Sequence, residues 1–129
     1  MDLSLNVLIV EDDGAMAQMC AKLIRRRGHS PIVAGSCQDA LAIVKAGRDV
    51  DAVLSDVHMP QMSGIELLAQ LREFNTQLPV ILMTGYTNLV GSSEAAELGA
   101  SDYLSKPFDA DTLIDSIERS FLKRIPEHV

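Results

Sequence analysis

Three consecutive acids, Glu11, Asp12 and Asp13, follow the apolar run Val7–Val10 in the stretch NVLIVEDDG. Farther along, Asp56 closes the run DAVLSD, Thr84 closes LPVILMT, and Lys106 follows SDYLS and precedes Pro107. Two carboxylates about 4 Å apart repel by roughly 4 kcal/mol at an effective dielectric near 20. Acids gathered at the mouth of a buried strand therefore call for a cation. Carboxylates with no nearby Arg form a hard-oxygen site, and Mg2+ suits it, since that ion takes few protein carboxylates, keeps waters and shares its shell with phosphate. Asp56 has a second use, as a nucleophile that forms an aspartyl-phosphate. Phosphoryl transfer asks the protein mainly for positioning and charge neutralisation. Lys106 supplies a cation for that purpose and the Thr84 hydroxyl a neutral donor.

Taken singly, each residue has a plainer reading. Asp13 reads as a helix N-cap, Thr84 as a good strand residue, and Lys106–Pro107 as a surface turn. Their conjunction at successive strand ends is what points to a site.

The elements that must position these groups alternate along the chain. Strands are expected over Leu5–Val10, Pro31–Gly35, Asp51–Asp56, Leu78–Thr84 and Ser101–Ser105. Between them, apolar residues recur at helical spacing: Met16, Met19, Cys20, Leu23 and Ile24, then Ala40, Leu41 and Val44, then Ile65, Leu67, Leu68 and Leu71. Gly28 and Gly47 read as helix stops, Ser36 as an N-cap, and Met59–Gly64 as a loop of turn residues. A last helix carries Leu113, Ile114, Ile117 and Phe121, with Asp109 or Asp111 near its start. The segment Asn88–Leu98 is a weaker helix, diluted by Gly91, Ser92 and Ser93. Five strands alternating with five helices predict an α/β fold, a flavodoxin-like doubly wound parallel sheet of order 2-1-3-4-5. In such a sheet ligands bind outside the carboxyl ends of the strands, where the strand order reverses. The order sets the first and third strands side by side, so Asp56 is expected close to the acids after Val10.

Composition narrows the function classes. The 129 residues suit one domain over residues 1–129, with enough length to bury a sizeable core. Net charge is −7, which argues against direct nucleic-acid binding by this chain. The basic cluster Arg25–Arg27 falls at a helix end, where cations suit the dipole. Cys20 and Cys37 lack metal-type spacing and read as small core residues. No apolar run reaches the length of a membrane span, and a cytoplasmic location is the default expectation.

VLIVEDD, LSDVHMPQMSG, PVILMTGY and ASDYLSKPF together resemble the receiver domain of two-component response regulators. The resemblance covers about residues 5–123. It implies Asp56 as phospho-acceptor and Glu11 and Asp12 as the acidic pair around Mg2+ or Mn2+, Asp12 touching the metal directly and Glu11 mostly through water. Asp56 and the backbone carbonyl of His58 complete the protein ligands, while the imidazole of His58 is not a ligand, because Mg2+ prefers oxygen. By the same resemblance Thr84 and Lys106 are expected to hold phosphoryl oxygens, and Lys106–Pro107 to be a cis peptide. The resemblance further implies Thr84 and Tyr103 as the switch, with His58 and Tyr86 expected to flank the site and tune access of water. Gly85 departs from the Ala or Ser usual after the hydroxyl residue.

The function implied is a phosphorylation switch and not an enzyme, catalysing only its own phosphorylation and dephosphorylation. A histidine kinase or histidine phosphotransfer protein is the expected donor. The Asn88–Leu98 helix, the fifth strand and the last helix form the expected output face, with a homodimer on phosphorylation as one outcome. The rival readings are a degenerate receiver acting as an interaction module, a haloacid-dehalogenase-like phosphatase, and a flavodoxin-like electron carrier. The phosphatase class wants a second Asp two residues after the first as general acid, and here that position is His58. The electron carrier lacks a Ser/Thr-rich phosphate loop after the first strand.

Overall fold

The computed structural model describes residues 3–75, 77–85 and 96–124. Five parallel strands form one sheet: β1 Asn6–Val10, β2 Ser30–Ala34, β3 Ala52–Asp56, β4 Val80–Thr84 and β5 Asp102–Ser105. Their order is β2-β1-β3-β4-β5, as the alternation of elements predicts. The strands start or stop within two residues of the expected runs. Four helices lie among the described residues: α1 Gly14–Arg26, α2 Cys37–Lys45, α3 Gly64–Phe74 and α4 Ala110–Lys123. Of the expected helix over Asn88–Leu98, only residues 96–98 are described, and its remainder and Tyr86 lie outside the described residues.

β3 and β4 are buried along their whole length because both faces of the sheet are covered. The two-residue period of a strand divides their side chains between two cores. Leu8, Val10, Val53 and Leu82 pack with Leu41, Val44, Leu67, Leu68 and Leu71 of α2 and α3. Val7, Ile9, Leu54, Ile81 and Met83 pack on the opposite face with Ala17, Cys20 and Ile24 of α1 and with Leu113 and Ile117 of α4. Both cysteines are buried and free of a disulfide, as core residues should be.

Each of these four described helices starts on a side-chain cap. The Asp13 carboxylate accepts from Ala15 N and Met16 N, and the Ser36 hydroxyl from Asp39 N. Ser63 and Glu66 form a reciprocal capping box at α3, and Asp109 accepts from Thr112 N at α4. The Thr112 N–H holds the Asp109 carboxyl below its usual range. Gly28 and Gly47, just past the ends of α1 and α2, have φ of +86° and +81°, a region that favours glycine. Among the described residues no helix is long and apolar enough to cross a membrane.

Candidate functional site

The carboxyl ends of β1, β3, β4 and β5 open on one edge of the sheet. Glu11 follows β1, Asp56 ends β3, Thr84 ends β4, and Lys106 follows β5. Backbone pairing continues past the strand ends and fixes these positions. Glu11 N donates to Ala34 O at 3.1 Å, Val57 N to Met83 O at 2.9 Å, and Lys106 N to Thr84 O at 2.7 Å. The Lys106–Pro107 peptide is cis.

Three side chains meet across this edge. Lys106 Nζ donates to Asp56 Oδ2 at 2.7 Å and to Glu11 Oε1 at 3.1 Å. The second oxygen of each carboxylate takes a main-chain donor: His58 N to Asp56 Oδ1 at 2.8 Å, and Asp13 N to Glu11 Oε2 at 3.3 Å. The Glu11 side chain is 1% exposed, that of Asp56 11% and that of Lys106 21%, so little water screens the cluster. Burial, and next the Asp56 charge, lift the Glu11 carboxyl above its usual value, although the Lys106 ammonium and the Asp13 N–H pull it down. For Lys106, burial alone would lower the pKa. The hydrogen bonds and charges of Asp56 and Glu11 outweigh it and hold the ammonium above its usual value.

The cation shared by Glu11 and Asp56 in this structure is thus the ammonium of Lys106. Asp12 is exposed at the rim, and Asp13 is turned to cap α1. Among the described residues no three His, Cys, Asp or Glu side chains are grouped to hold a metal ion. The donor chemistry still suits magnesium. Glu11, Asp12, Asp56 and the His58 carbonyl offer only hard oxygens, and Mg2+ needs one or two carboxylates rather than a full protein cage.

The remaining candidates surround this cluster. Thr84 is fully buried at the end of β4. Tyr103 is half-buried on β5, beside Leu82 in register, and packs against the α2–α3 core. His58 is exposed at the rim. One residue that sequence reading treats as part of a turn has a direct role in the architecture: Gly64, the first residue of α3, touches the main chain of Asp56. The Gly after MPQMS is the only sequence signal for it.

Comparison with known proteins gives concordant findings. The sequence model of the response regulator receiver domain matches residues 7–118. The chain is 39% identical over 120 residues to the response regulator protein FleR of Pseudomonas aeruginosa, covering 93% of this chain and 25% of that protein. It is 35% identical over 116 residues to the transcriptional regulatory protein ZraR of Salmonella typhimurium, covering 90% of this chain and 26% of that one. The chain thus spans about a quarter of the length of these curated relatives. Among solved structures, the Francisella response regulator 1452 receiver domain superposes with a TM-score of 0.85 at 30% identity, over 93% of this chain and 98% of that one.

Proposed function

The chain belongs to the response regulator receiver domain family, and on that premise we propose that Asp56 accepts a phosphoryl group from a phosphohistidine on a histidine kinase or histidine phosphotransfer protein. A carboxylate oxygen of Asp56 attacks phosphorus, the P–N bond breaks, and its electron pair returns to the donor imidazole. The observation that carries this reading is the Asp56 carboxylate itself, held at the mouth of β3 by Lys106 Nζ at 2.7 Å and by His58 N at 2.8 Å.

Each of those donors is aimed at a carboxylate oxygen and within reach of a phosphoryl oxygen bound there. Transfer shifts them onto the new group, where they remain charge-assisted. Thr84 adds a hydroxyl from the end of β4. Glu11, Asp12, Asp56 and the His58 carbonyl would hold Mg2+ or Mn2+, which when bound neutralises charge on the transferring group.

The new charge then biases a two-state equilibrium through Thr84 and Tyr103. Output runs through the Asn88–Leu98 segment, β5 and α4 to a partner or attached domain, with dimerisation as one form it takes. A cytoplasmic place follows from the phosphohistidine donor. The relative ZraR, named as a transcriptional regulatory protein, supports such an output.

Mass spectrometry after incubation with acetyl phosphate and Mg2+ tests the reading. Wild type should gain one phosphoryl group and Asp56→Asn none. Equal labelling of the two, or no labelling of wild type, refutes it.

A further inference from the structure

We infer that Gly64 is a positioning residue for the acceptor: the missing side chain lets α3 seat its first residue against the Asp56–Val57 peptide, and so sets where the Asp56 carboxylate and the His58 N–H point. This rests on the phosphoryl-acceptor reading of Asp56.

A Cβ at Gly64 would lie 2.3 Å from the Asp56 carbonyl oxygen, 3.0 Å from Val57 Cα and 3.1 Å from Asp56 C. All three are main-chain atoms, and none can rotate out of the way. The close approach is also bonded, with Gly64 N donating to Val57 O at 3.0 Å. Neither side has slack. Val57 N is tied to Met83 O in the sheet, and the Ser63–Glu66 capping box and buried Leu67, Leu68 and Leu71 anchor α3. A methyl group at position 64 must therefore displace either residues 56–57 or the start of α3.

Displacing residues 56–57 moves the carboxylate directly, because the His58 N–H that holds Asp56 Oδ1 belongs to the same loop. Displacing the helix pulls that loop through the Gly64–Val57 bond. The need for glycine is steric. As the first residue of a helix, position 64 places no special demand on φ, and Gly14 at the equivalent place in α1 has nothing within 4 Å of its would-be Cβ.

The test compares Gly64→Ala, Gly14→Ala and Ser63→Ala with wild type in the intact protein. It reads the acetyl phosphate labelling rate as a function of donor concentration, and the His58 amide proton shift with no donor present. Misplacing a reacting group by about 1 Å costs on the order of 10²-fold. Gly64→Ala should therefore fold, lose about tenfold or more in saturating rate with little change in half-saturating donor, and shift the His58 amide. Gly14→Ala and Ser63→Ala, the latter weakening the same helix start without adding bulk, should label within about twofold of wild type.

The proposal is overturned if Gly64→Ala labels normally, if its His58 amide does not move, or if Ser63→Ala is slowed as much. It is also overturned if Gly64→Ala alone fails to fold, since the space would then serve folding rather than the acceptor. Absence of labelling in wild type sinks the acceptor reading instead, and the His58 amide still reports whether Gly64 sets the local geometry.

Discussion

Lys106 Nζ stands 2.7 Å from Asp56 Oδ2, in direct contact across the mouth of the sheet. The same ammonium reaches Glu11 Oε1 at 3.1 Å, so one cation serves two carboxylates. The separation in sequence is 50 residues to Asp56 and 95 to Glu11.

Removing that cation leaves two carboxylates facing each other with little water. Breaking a fully buried pair costs about 3–5 kcal/mol, and the partial exposure of Lys106 places Lys106→Met nearer roughly 2 kcal/mol. Glu11→Gln in the Lys106→Met background should recover part of the loss, because one charge is removed. Urea unfolding at pH 7, read as a double-mutant cycle, measures both effects. Equal stability of wild type and Lys106→Met would contradict the ion pair.

Cys20 and Cys37 give a signature at alkaline pH. Burial first, then neighbouring carboxylates, push each thiol up to about 11. A pKa raised on folding means that stability is full below the unfolded value of 9.0 and falls as pH rises towards about 11. The slope should approach about 1.4 kcal/mol per pH unit for each thiol. The Cys20→Ala/Cys37→Ala double variant should show a flatter decline between those limits. Native wild type at pH 8 should also resist a thiol reagent that labels the unfolded chain.

Arg72 has a different use for its charge. Its Nε and Nη2 donate to Gly99 O at 2.9 and 2.6 Å, and its Nη1 donates to Leu78 O at 2.6 Å. Burial lowers its pKa from the ordinary guanidinium value. Lysine keeps the charge and lacks the planar fork. Arg72→Lys should therefore lose about 1–3 kcal/mol and speed amide exchange at Val80 and Ser101, which pair beside Leu78 and Gly99. Unchanged exchange at both amides would show that the fork does not hold these segments.

His29 fills a comparable place on the other side of the sheet. Its side chain is fully buried, Leu5 N donates to its Nδ1 at 3.0 Å, and its Nε2 lies 2.8 Å from Glu118 Oε2. With Nδ1 accepting, Nε2 carries the proton and donates to Glu118. His29→Phe fills the volume and leaves the Leu5 N–H without its acceptor, an expected loss of about 1–3 kcal/mol in urea unfolding. Equal midpoints for the two proteins would show that the amide finds another partner.

Much of this architecture is legible in the sequence. The apolar runs ending in Val10, Asp56 and Thr84 mark strands, and the alternation of elements marks a parallel sheet. Caps were readable at Asp13 and Ser36, because a cap needs only the next two or three residues. The site residues were readable as a set because a parallel α/β sheet delivers every strand's carboxyl end to one edge. His29 and Arg72 were not legible. A lone His after a helix, or an Arg on a helix face, looks the same in sequence whether solvated or buried against carbonyls.

Local pattern is enough to set the elements, their order and the chemical groups that arrive at the sheet edge, since periodicity, capping and chain direction act over a few residues or through topology. Tertiary structure alone decided that Lys106 bridges Glu11 and Asp56 while Asp12 stays at the rim, and that α3 rests on the Asp56 peptide through Gly64. Those outcomes are distances of a few ångströms between segments far apart in the chain. They are set by how the sheet twists and the two cores fill, which no local pattern encodes.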